Sequence, residues 1–437
     1  MSQSIAFALP PSTLQARFDG PQLTSDGGLC WLWEADTALG LCAALAAQVP
    51  EWRRGPVRHS LETLVRQRVF QIACGYEDQD DADTLRSDPL LKLVCGRLPS
   101  EAHLASQPTL SRLENAVDAK GCYRLARALV ALYLQERERD GLPAHIILDV
   151  DSTDDPAHGQ QEGVAYHGYY GQYMYHPLLV FDGDTGQLIT AVLRPGTCHA
   201  SRGAVAVVKR LVRHLWQRWP QVTIEFRADS GFAVPALYAY LEAQHIPYTI
   251  GLVANARLEA LAGSLVEEAK RQRAETGEKV RLLAEGPYQA DSWPHERRVV
   301  YKAEALDKGL NTRFVVTTRQ DPPEELYSWY THRGDRPELC IKDLKQGCCA
   351  DRLSCHAFWA NQFRLLLHSA AYWLLDTIRR WLARLRVSHL QLGTLRLHLL
   401  KIGGWVRQHR GAVSLHLASS HPAEPLWDLL ATRPGRS

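Results

Sequence analysis

The first third of the chain spaces its apolar side chains at helical intervals. The stretch from Ser60 to Cys74 follows this pattern, and its leading serine stands where a hydroxyl would cap the first turn. Thr109 to Val117 and Cys122 to Glu138 repeat the pattern. We therefore predict that residues 1–143 are mainly helical.

The pattern changes near Ala144, where apolar runs predict strands and amphipathic stretches between them predict helices. Three strands, a helix, a strand, a helix and a strand in this order favour an α/β fold with a mixed sheet covered by helices. The predicted strands are Ile146 to Asp151, Pro177 to Phe181, Gln187 to Leu193, Val222 to Ala228 and Tyr248 to Val253, and the predicted helices are Ala204 to Trp219 and Val234 to Gln244.

Residues 255–323 interrupt this order. A charged helix is predicted from Leu258 to Thr276, followed by strands at 297–303 and 313–318, which together indicate a β-rich insertion. Helical spacing resumes near Glu324 and continues into an apolar helix at 358–386. The tail after residue 410 is predicted to be loop-like, apart from one short apolar run at 426–430.

Composition is that of a soluble globular protein. The chain has 437 residues, of which 46% are hydrophobic and 22% charged, so it can bury at least one large core. The net charge of +2 averages over segments of opposite sign. Between Thr377 and Ala423 there are eight Lys or Arg and no acidic residue. Such a stretch either binds a polyanion through phosphate contacts or forms a solvated helix face, and charge alone leaves both open.

The cysteines and the apolar runs favour a cytosolic protein. Ten cysteines occur without a CxxC pair, which is typical of reduced, buried thiols. The N-terminus lacks the pattern of a signal peptide, and no apolar run approaches the length of a membrane span. A zinc site remains conceivable among four cysteines whose spacing fits no usual zinc pattern: Cys340, Cys348, Cys349 and Cys355.

Three carboxylates occupy positions that suit metal-dependent phosphoryl transfer. Asp151 and Asp229 each end an apolar strand, where side chains can project into a crevice beyond the sheet. Glu338 opens a helical stretch that also carries Lys342 and Lys345. Three hard oxygen donors suit two Mg²⁺ or Mn²⁺ ions, which activate an attacking oxygen and stabilise a leaving one.

Each acid also has a simpler interpretation. A strand-end aspartate often caps a turn, and a glutamate beside two lysines usually belongs to a solvated face. Asp149 points to the same side of its strand as Asp151, so either could be the first acid. We favour Asp151 because it stands at the carboxyl end of the strand.

These residues resemble the DDE transposases of bacterial insertion sequences, whose catalytic core is RNase H-like. The branch called insertion-sequence family 1380 is the most similar in motif. The resemblance extends from Thr24 to about Arg386 and is carried by 148–153, 193–199, 227–232 and 330–345.

The last of these segments resembles the family's tyrosine–arginine–glutamate–lysine signature, here Tyr330, Arg333, Glu338 and Lys345. Six residues separate the glutamate from the lysine, as in the family, but four rather than three separate Arg333 from Glu338. The extra residue leaves Arg336 as an alternative to Arg333.

The resemblance implies an α/β organisation in five parts. A mainly helical DNA-binding region (1–143) precedes an RNase H-like core (144–254), a β-rich insertion (255–323), the second part of the core with the catalytic glutamate helix (324–386) and a basic C-terminal region (387–437). A short helix from Ser106 to Asn115 in the first region offers polar side chains that could read base edges, or it is an ordinary capped surface helix.

The resemblance also implies cut-and-paste transposition. Catalytic Asp151, Asp229 and Glu338 would hold two Mg²⁺ or Mn²⁺ ions, and the phosphate-binding residues would be Tyr330, Arg333, Lys342 and Lys345. The partners implied are double-stranded DNA, as terminal inverted repeats and target DNA, and a second copy of the chain on DNA. The protein would be cytoplasmic and associated with the nucleoid.

Two further segments are open to both structural and functional interpretation. The tyrosine-rich passage from Tyr166 to Tyr175 would stack on unpaired bases or simply pack in the core. Arg194 and His199 would line the same crevice as the acids.

Three other functions fit parts of the pattern. They are an RNase H-like nuclease without strand transfer, a transposase-derived DNA-binding protein that no longer cuts, and a zinc hydrolase. The three intact acids favour a cutting enzyme over the second of these.

Overall fold

The computed structural model describes residues 5–9, 12–139, 141–307, 309–335 and 337–433. Arg336, the alternative to Arg333, lies outside the described residues. The strands are β1 (Ile5–Leu9), β2 (Ser12–Ala16), β3 (Leu23–Thr24), β4 (His145–Ser152), β5 (Asp155–Pro156), β6 (Ala165–His167), β7 (Gln172–Tyr175), β8 (Leu178–Asp182), β9 (Leu188–Val192), β10 (Thr223–Ala228), β11 (Tyr248–Leu252), β12 (Val280–Tyr288), β13 (Arg297–Leu306), β14 (Gly309–Thr317), β15 (Gly404–His409) and β16 (Ala412–Leu417).

The helices alternate with these strands in the middle of the chain and dominate near its start. They are α1 (Leu29–Leu39), α2 (Leu41–Ala46), α3 (Leu61–Ala73), α4 (Asp81–Leu85), α5 (Pro89–Val94), α6 (Gln107–Asn115), α7 (Ala119–Glu138), α8 (Ala204–Arg218), α9 (Pro235–Ala243), α10 (Ala256–Thr276), α11 (Pro323–Asp335), α12 (Pro337–Lys342), α13 (Phe358–Arg384), α14 (Leu392–Leu395) and α15 (Glu424–Ala431). A 3₁₀ turn spans Ser230–Phe232, and π-helical turns span Asp343–Gly347 and Arg396–Leu400.

The chain folds into two compact units. The first combines residues 1–125, 346–349 and 367–437, and the second combines 126–345 and 350–366. Helices α1 to α6 and the basic C-terminal segment therefore share one unit. The five-part division made in chain order could not anticipate this, because local patterns do not show which distant segments pack together.

An eight-stranded mixed sheet forms the centre of the second unit, in the order β12-β13-β14-β11-β10-β4-β8-β9. The neighbours β4, β10 and β11 run parallel, whereas β8 and β9 join on one side and β14 on the other in antiparallel pairs. The prediction of an α/β fold with a mixed sheet is confirmed. This order is consistent with the RNase H-like core that the resemblance implies.

The segment predicted as an insertion extends this sheet instead of forming a separate one. Strands β12, β13 and β14 form a continuous antiparallel meander, and α10 packs on it. Small side chains at Ala269, Ala303 and Ala305 let the helix approach closely, and Leu265 and Val266 complete the contact. The sequence analysis missed β12, whose charged and apolar residues do not form a continuous apolar run.

The first unit holds most of the helices predicted from the N-terminal pattern, whereas α7 lies mainly in the second unit. In α3 the Ser60 hydroxyl accepts a hydrogen bond from Thr63 N at 3.1 Å, so the predicted cap is present. The prediction of a loop-like tail is wrong, because β16 pairs with β15 and β15 pairs with β3. The partner strand β3 is a short segment near the other end of the chain, which no local pattern of the tail could indicate.

The longest helix is apolar around its whole circumference. Residues 361–379 of α13 are all buried, including several polar side chains. Such a helix belongs to the interior of a protein. Among the described residues, no helix is both long and apolar enough to cross a bilayer.

A buried ion pair joins the two central strands of the sheet. Arg227 on β10 donates to both carboxylate oxygens of Asp149 on β4, at 2.6 and 2.7 Å, and the two side chains are 3% and 1% exposed. Its third nitrogen donates to Trp329 O at 2.6 Å, and the guanidinium lies over the Trp329 ring. This pair therefore ties β4, β10 and α11 together.

Arg227→Met is expected to lower the free energy of unfolding by about 3–5 kcal/mol, because it leaves the Asp149 charge buried without its partner. Urea denaturation at pH 7 measures this change. The matched control is Arg218→Met, since Arg218 is 55% exposed in its pair with Glu138 and its loss should destabilise the chain far less. Equal effects of the two substitutions would contradict a structural role for the buried pair.

Candidate active site

The first two acids meet at the carboxyl ends of neighbouring strands. In the parallel pair formed by β4 and β10, Val150 lies opposite Ala228. The next residues along the two strands are Asp151 and Asp229, and the backbone of Asp229 is still extended. The strand register thus brings these two side chains next to each other, as the sequence analysis expected.

Asp151 lies in a charged and largely buried environment. Its side chain is 13% exposed, and its oxygens accept hydrogen bonds from Ser152 N at 2.8 Å and from Arg333 Nη2 at 2.6 Å. Burial raises the pKa of Asp151 to about 6. The Arg333 guanidinium opposes that rise, while the negative charges of Asp229 and Glu338 add to it. Asp229 and Glu338 are therefore close enough to Asp151 to influence its charge state.

Asp229 also shapes the backbone that follows it. Its Oδ1 accepts a hydrogen bond from Gly231 N at 2.9 Å and so caps the 3₁₀ turn. The adjacent strand β11 contributes Gly251, where an added Cβ would lie 2.8 Å from Tyr330 Oη and 3.0 Å from Ser230 N. The close approach of three chain segments to the second acid requires glycine at this position.

Asp149, the other candidate for the first acid, is fully engaged by Arg227. Its side chain is 1% exposed, so it has neither free oxygens nor access to a substrate. The geometry favours Asp151 in the catalytic position and gives Asp149 a structural role.

Helix α11 carries two residues of the signature toward the acids. Tyr330 packs beside Leu326 and Tyr327, and its hydroxyl lies 3.4 Å from the carbonyl oxygen of Ala228, the residue before the second acid. Arg333, one turn further on, reaches Asp151. Burial lowers the pKa of Arg333, but the charges of Asp151, Tyr330, Asp229 and Asp149 together outweigh it, so that the pKa is raised.

Glu338 is exposed near the start of α12, and Lys342 is exposed at its end. Within the described part of the chain, no three His, Cys, Asp or Glu side chains lie close enough together to hold a metal ion. This applies to the acids and also to the four cysteines considered as a zinc site. The π-helical turn Asp343–Gly347 follows α12, and such turns are frequent at functional sites.

Lys345 is held by the segment that follows the first acid. Its Nζ donates to Asp154 Oδ1 at 2.7 Å and to the carbonyl oxygen of the same residue at 3.0 Å. Asp154 also accepts a hydrogen bond from Gln172 Nε2 at 3.0 Å. Asp154 therefore connects Lys345 with β7.

The tyrosine-rich passage forms a hairpin from β6 and β7 that pairs with β5. Tyr166, Tyr169 and Tyr173 are 56%, 87% and 64% exposed, whereas Tyr175 is buried. Burial raises the pKa of Tyr170 to about 12, and the charges of Asp154, Asp151 and Asp229 add to this rise. The hairpin therefore extends from the acids to solvent, and most of its tyrosines do not pack in a core.

Comparison with known proteins identifies the family. A family model described as Transposase DDE domain group 1 matches residues 9–433, nearly the whole chain. The chain belongs to this family. It is therefore a transposase of the DDE type, a class of enzymes that cleave DNA during transposition.

The transposase is also similar to two solved structures of low sequence identity. The piggyBac transposase synaptic complex with hairpin DNA is 13% identical with a TM-score of 0.45, and the match covers 86% of this chain and 79% of that chain. The Mos1 transposase paired-end complex with left transposon end is 15% identical with a TM-score of 0.18, over 52% and 73% of the two chains. No curated protein matches the chain.

Arg194 and His199 of the transposase occupy different environments. Arg194 is buried and donates to the carbonyl oxygens of His176, Ala200 and Arg202, so its guanidinium organises the loop after β9. His199 is exposed and contacts Ser201. The structure thus gives Arg194 a scaffolding role that its position in the sequence did not reveal.

Three residues that shape the site were not predicted from the sequence: Arg227, Gly251 and Asp154. For Arg227 a signal existed, because a charged residue inside an apolar strand needs a buried partner. The other two depend on contacts between segments that lie far apart in sequence.

Asp151→Asn is expected to change how the stability of the transposase depends on pH. Since the folded-state pKa of about 6 exceeds the ordinary 3.8, the folded chain binds more protons than the unfolded chain between these values. The stability contributed by this group is therefore complete below about pH 4 and is lost as pH rises through 6. The unfolding free energy of Asp151→Asn, relative to the unmodified chain, should rise across that interval by up to about 3 kcal/mol.

Urea denaturation at several pH values between 4 and 7.5 measures the difference in unfolding free energy between the variant and the unmodified chain. Asp291→Asn is the control, since Asp291 is 99% exposed and its substitution should give a difference that does not change with pH. If the difference in unfolding free energy for Asp151→Asn did not change with pH, burial would not disfavour the Asp151 carboxylate.

Proposed function

We propose that this transposase mobilises a bacterial insertion sequence of the family 1380 type by cut-and-paste transposition. The observation that carries the proposal is the strand register that sets Asp151 beside Asp229, with Arg333 bound to the first of them. Water would first cleave DNA at the end of the element, and the released 3′-hydroxyl would then attack target DNA. The substrates are terminal inverted repeats and target duplex, and a dimer would hold two ends together.

The carboxylate oxygens of the three acids are hard donors, which suit divalent cations. Asp151 and Asp229 offer carboxylate oxygens on adjacent strands, and Glu338 is close enough to raise the pKa of Asp151. Mutual repulsion of three negative charges is relieved by a bound cation. These residues would hold two Mg²⁺ or Mn²⁺ ions, which would supply activation of the attacking oxygen and stabilisation of the leaving one.

The glutamate would reach this set by a movement of α12. Glu338 is exposed, whereas Asp151 is largely buried. The helix that carries the glutamate is short and is followed by a π-helical turn, so a modest shift need not disturb the sheet. We therefore expect DNA to bring Glu338 toward the two aspartates.

The cationic residues divide into held and exposed groups. Arg333 and Lys345 are held by Asp151 and Asp154, so they would present donors to a phosphate in fixed positions. Lys342 is exposed and would act as a mobile point charge. Tyr330 would add a hydroxyl donor near the second acid.

The tyrosine hairpin is proposed to hold unpaired bases at the DNA end. Exposed rings at Tyr166, Tyr169 and Tyr173 stand on the same hairpin as Tyr170, which lies near the acids. Aromatic side chains stack on bases of any sequence, since every base has a π-face. The hairpin would therefore guide the single strand that leaves the cleavage point.

Asp229→Asn is expected to abolish cleavage of a DNA end in the presence of Mg²⁺, because it removes a carboxylate charge from the proposed ion site. Binding to the inverted repeat should remain within a few-fold of the unmodified chain. Gel assays of nicking and strand transfer, with fluorescence anisotropy for binding, measure both properties. Asp291→Asn, a charge-matched change at an exposed position, serves as the control and should keep full activity.

Persistent nicking by Asp229→Asn would overturn the site assignment. Strand transfer from pre-cut ends by the unmodified chain separates a transposase from an RNase H-like nuclease that only hydrolyses. Nicking without transfer would favour the nuclease.

Tyr169→Ala is expected to weaken binding to a DNA end that carries an unpaired 3′ overhang by roughly 5- to 100-fold, the effect of losing about 1–3 kcal/mol of stacking. Tyr169→Phe should retain most of the affinity, since the ring remains. Tyr169→Phe therefore serves as the matched control. An equal loss on blunt, fully paired ends would contradict base stacking by the hairpin.

A further inference from the structure

A two-stranded ribbon in the first unit carries an exposed face of cationic, imidazole and aromatic side chains. Strands β15 and β16 form an antiparallel pair with His409 opposite Ala412, so that Arg410 and Gly411 alone make the turn. Side chains on a strand alternate between its two faces. The outward positions are Trp405, Arg407, His409, Ala412, Ser414 and His416, and all of them are exposed.

The opposite face anchors the ribbon to its own unit. Val406 is buried, and Val413, Leu415 and Leu417 are half-buried. Strand β3 pairs with the base of β15. Farther along, the Gln408 side chain accepts a hydrogen bond from Ser100 N at 3.1 Å. The inward face is thus covered, and the outward face remains accessible.

Acidic residues are missing from the ribbon itself. The sequence between Lys401 and Ala423 contains no Asp or Glu. On the segment that leads from β3 toward α1, Asp26 is paired with Lys401 at 2.8 Å. The outward face therefore has the sign of charge that a polyanion requires.

The turn of the ribbon keeps an arginine in an unfavourable conformation. Arg410 has φ +47° and Gly411 has φ +84°, which is the type I′ pattern of a two-residue hairpin. Asn, Asp or Gly is preferred at the first of these positions, because other side chains are strained there. Backbone strain of this kind is concentrated at functional sites. The ribbon therefore carries a cation at its tip despite the conformational cost.

The rings of the ribbon lie next to each other on its outward face. Trp405 and His416 lie on opposite strands with ring centroids 5.4 Å apart and planes inclined by 33°. The Arg407 guanidinium lies 5.8 Å from the Trp405 ring centroid. Arg407 and His416 thus share one face with the Trp405 indole.

We propose that this ribbon docks in the major groove of duplex DNA, with Arg407 and Arg410 contacting phosphates and the rings facing the base edges. The major groove of B-DNA is about 12 Å wide and admits a two-stranded ribbon. Strands of six residues span about 20 Å, enough to cross the groove between its two phosphate backbones. The choice of DNA as partner rests on the proposed function.

The experiment compares DNA binding by the full chain with and without these cations. Arg407→Gln together with Arg410→Gln should weaken binding to a duplex by roughly tenfold or more at physiological salt, and should reduce the slope of log K against log salt by about 2. Two probes are used without divalent ions: a duplex copied from the DNA that brackets the gene, and a duplex of unrelated sequence. If only binding to the bracketing duplex is weakened, the ribbon recognises the inverted repeat. If binding to both duplexes is weakened, the ribbon contacts duplex DNA in general.

The control removes the same two charges elsewhere. Lys270→Gln together with Arg271→Gln changes exposed residues of α10 that are each paired with a glutamate. This control should leave the affinity and the salt slope unchanged. Arg410→Gly adds a test that is independent of folding, because it relieves strain and should keep or raise the melting temperature while the salt slope falls by about 1.

Unchanged affinity and slope in the double variant would overturn the ribbon proposal, and so would a loss of binding matched by the α10 control. Neither result bears on the acids, since binding is measured without divalent ions. Conversely, if the unmodified chain never cleaves a DNA end, the transposition proposal fails while the ribbon comparison on unrelated duplex still holds.

Discussion

The parallel pairing of β4 with β10 is the constraint on which the rest of the site depends. Because the two strands run in the same direction, their carboxyl ends coincide and Asp151 stands beside Asp229. The Asp149–Arg227 pair below them connects the same strands and α11. A buried ion pair of this kind is weak evidence for stability but can specify register. Here the Asp149–Arg227 pair holds β4 and β10 in the register that keeps the like charges of Asp151 and Asp229 close together.

Placing like charges together has an electrostatic cost, and the surrounding residues offset it. Burial and the neighbouring acids raise the pKa of Asp151, and Arg333 supplies a compensating positive charge. Lys345 does the same for Asp154. Each signature cation thus neutralises a carboxylate in the folded chain, and each is positioned where DNA phosphates or metal ions would compete for the same charges.

The two surfaces that we propose to contact DNA use different physical chemistry. In the second unit, the tyrosine hairpin next to the acids presents aromatic rings, which suit unpaired bases. In the first unit, the ribbon of β15 and β16 presents cations and rings on a two-stranded frame, which suits duplex DNA. Family membership establishes a transposase, and these two surfaces propose how its chain would divide the contacts with single and double strands.

The sequence by itself determined the α/β class, most helices and strands of the central sheet, and the two strand-end acids, because these depend on local periodicity and on the position of a residue within its strand. Only the tertiary structure decided three contacts. The Asp149 carboxylate is bound by Arg227, Asp154 binds Lys345, and the C-terminal tail forms a sheet with β3. Those contacts join residues separated by up to several hundred positions. A local sequence pattern does not indicate which of several possible distant partners a side chain contacts in the folded protein.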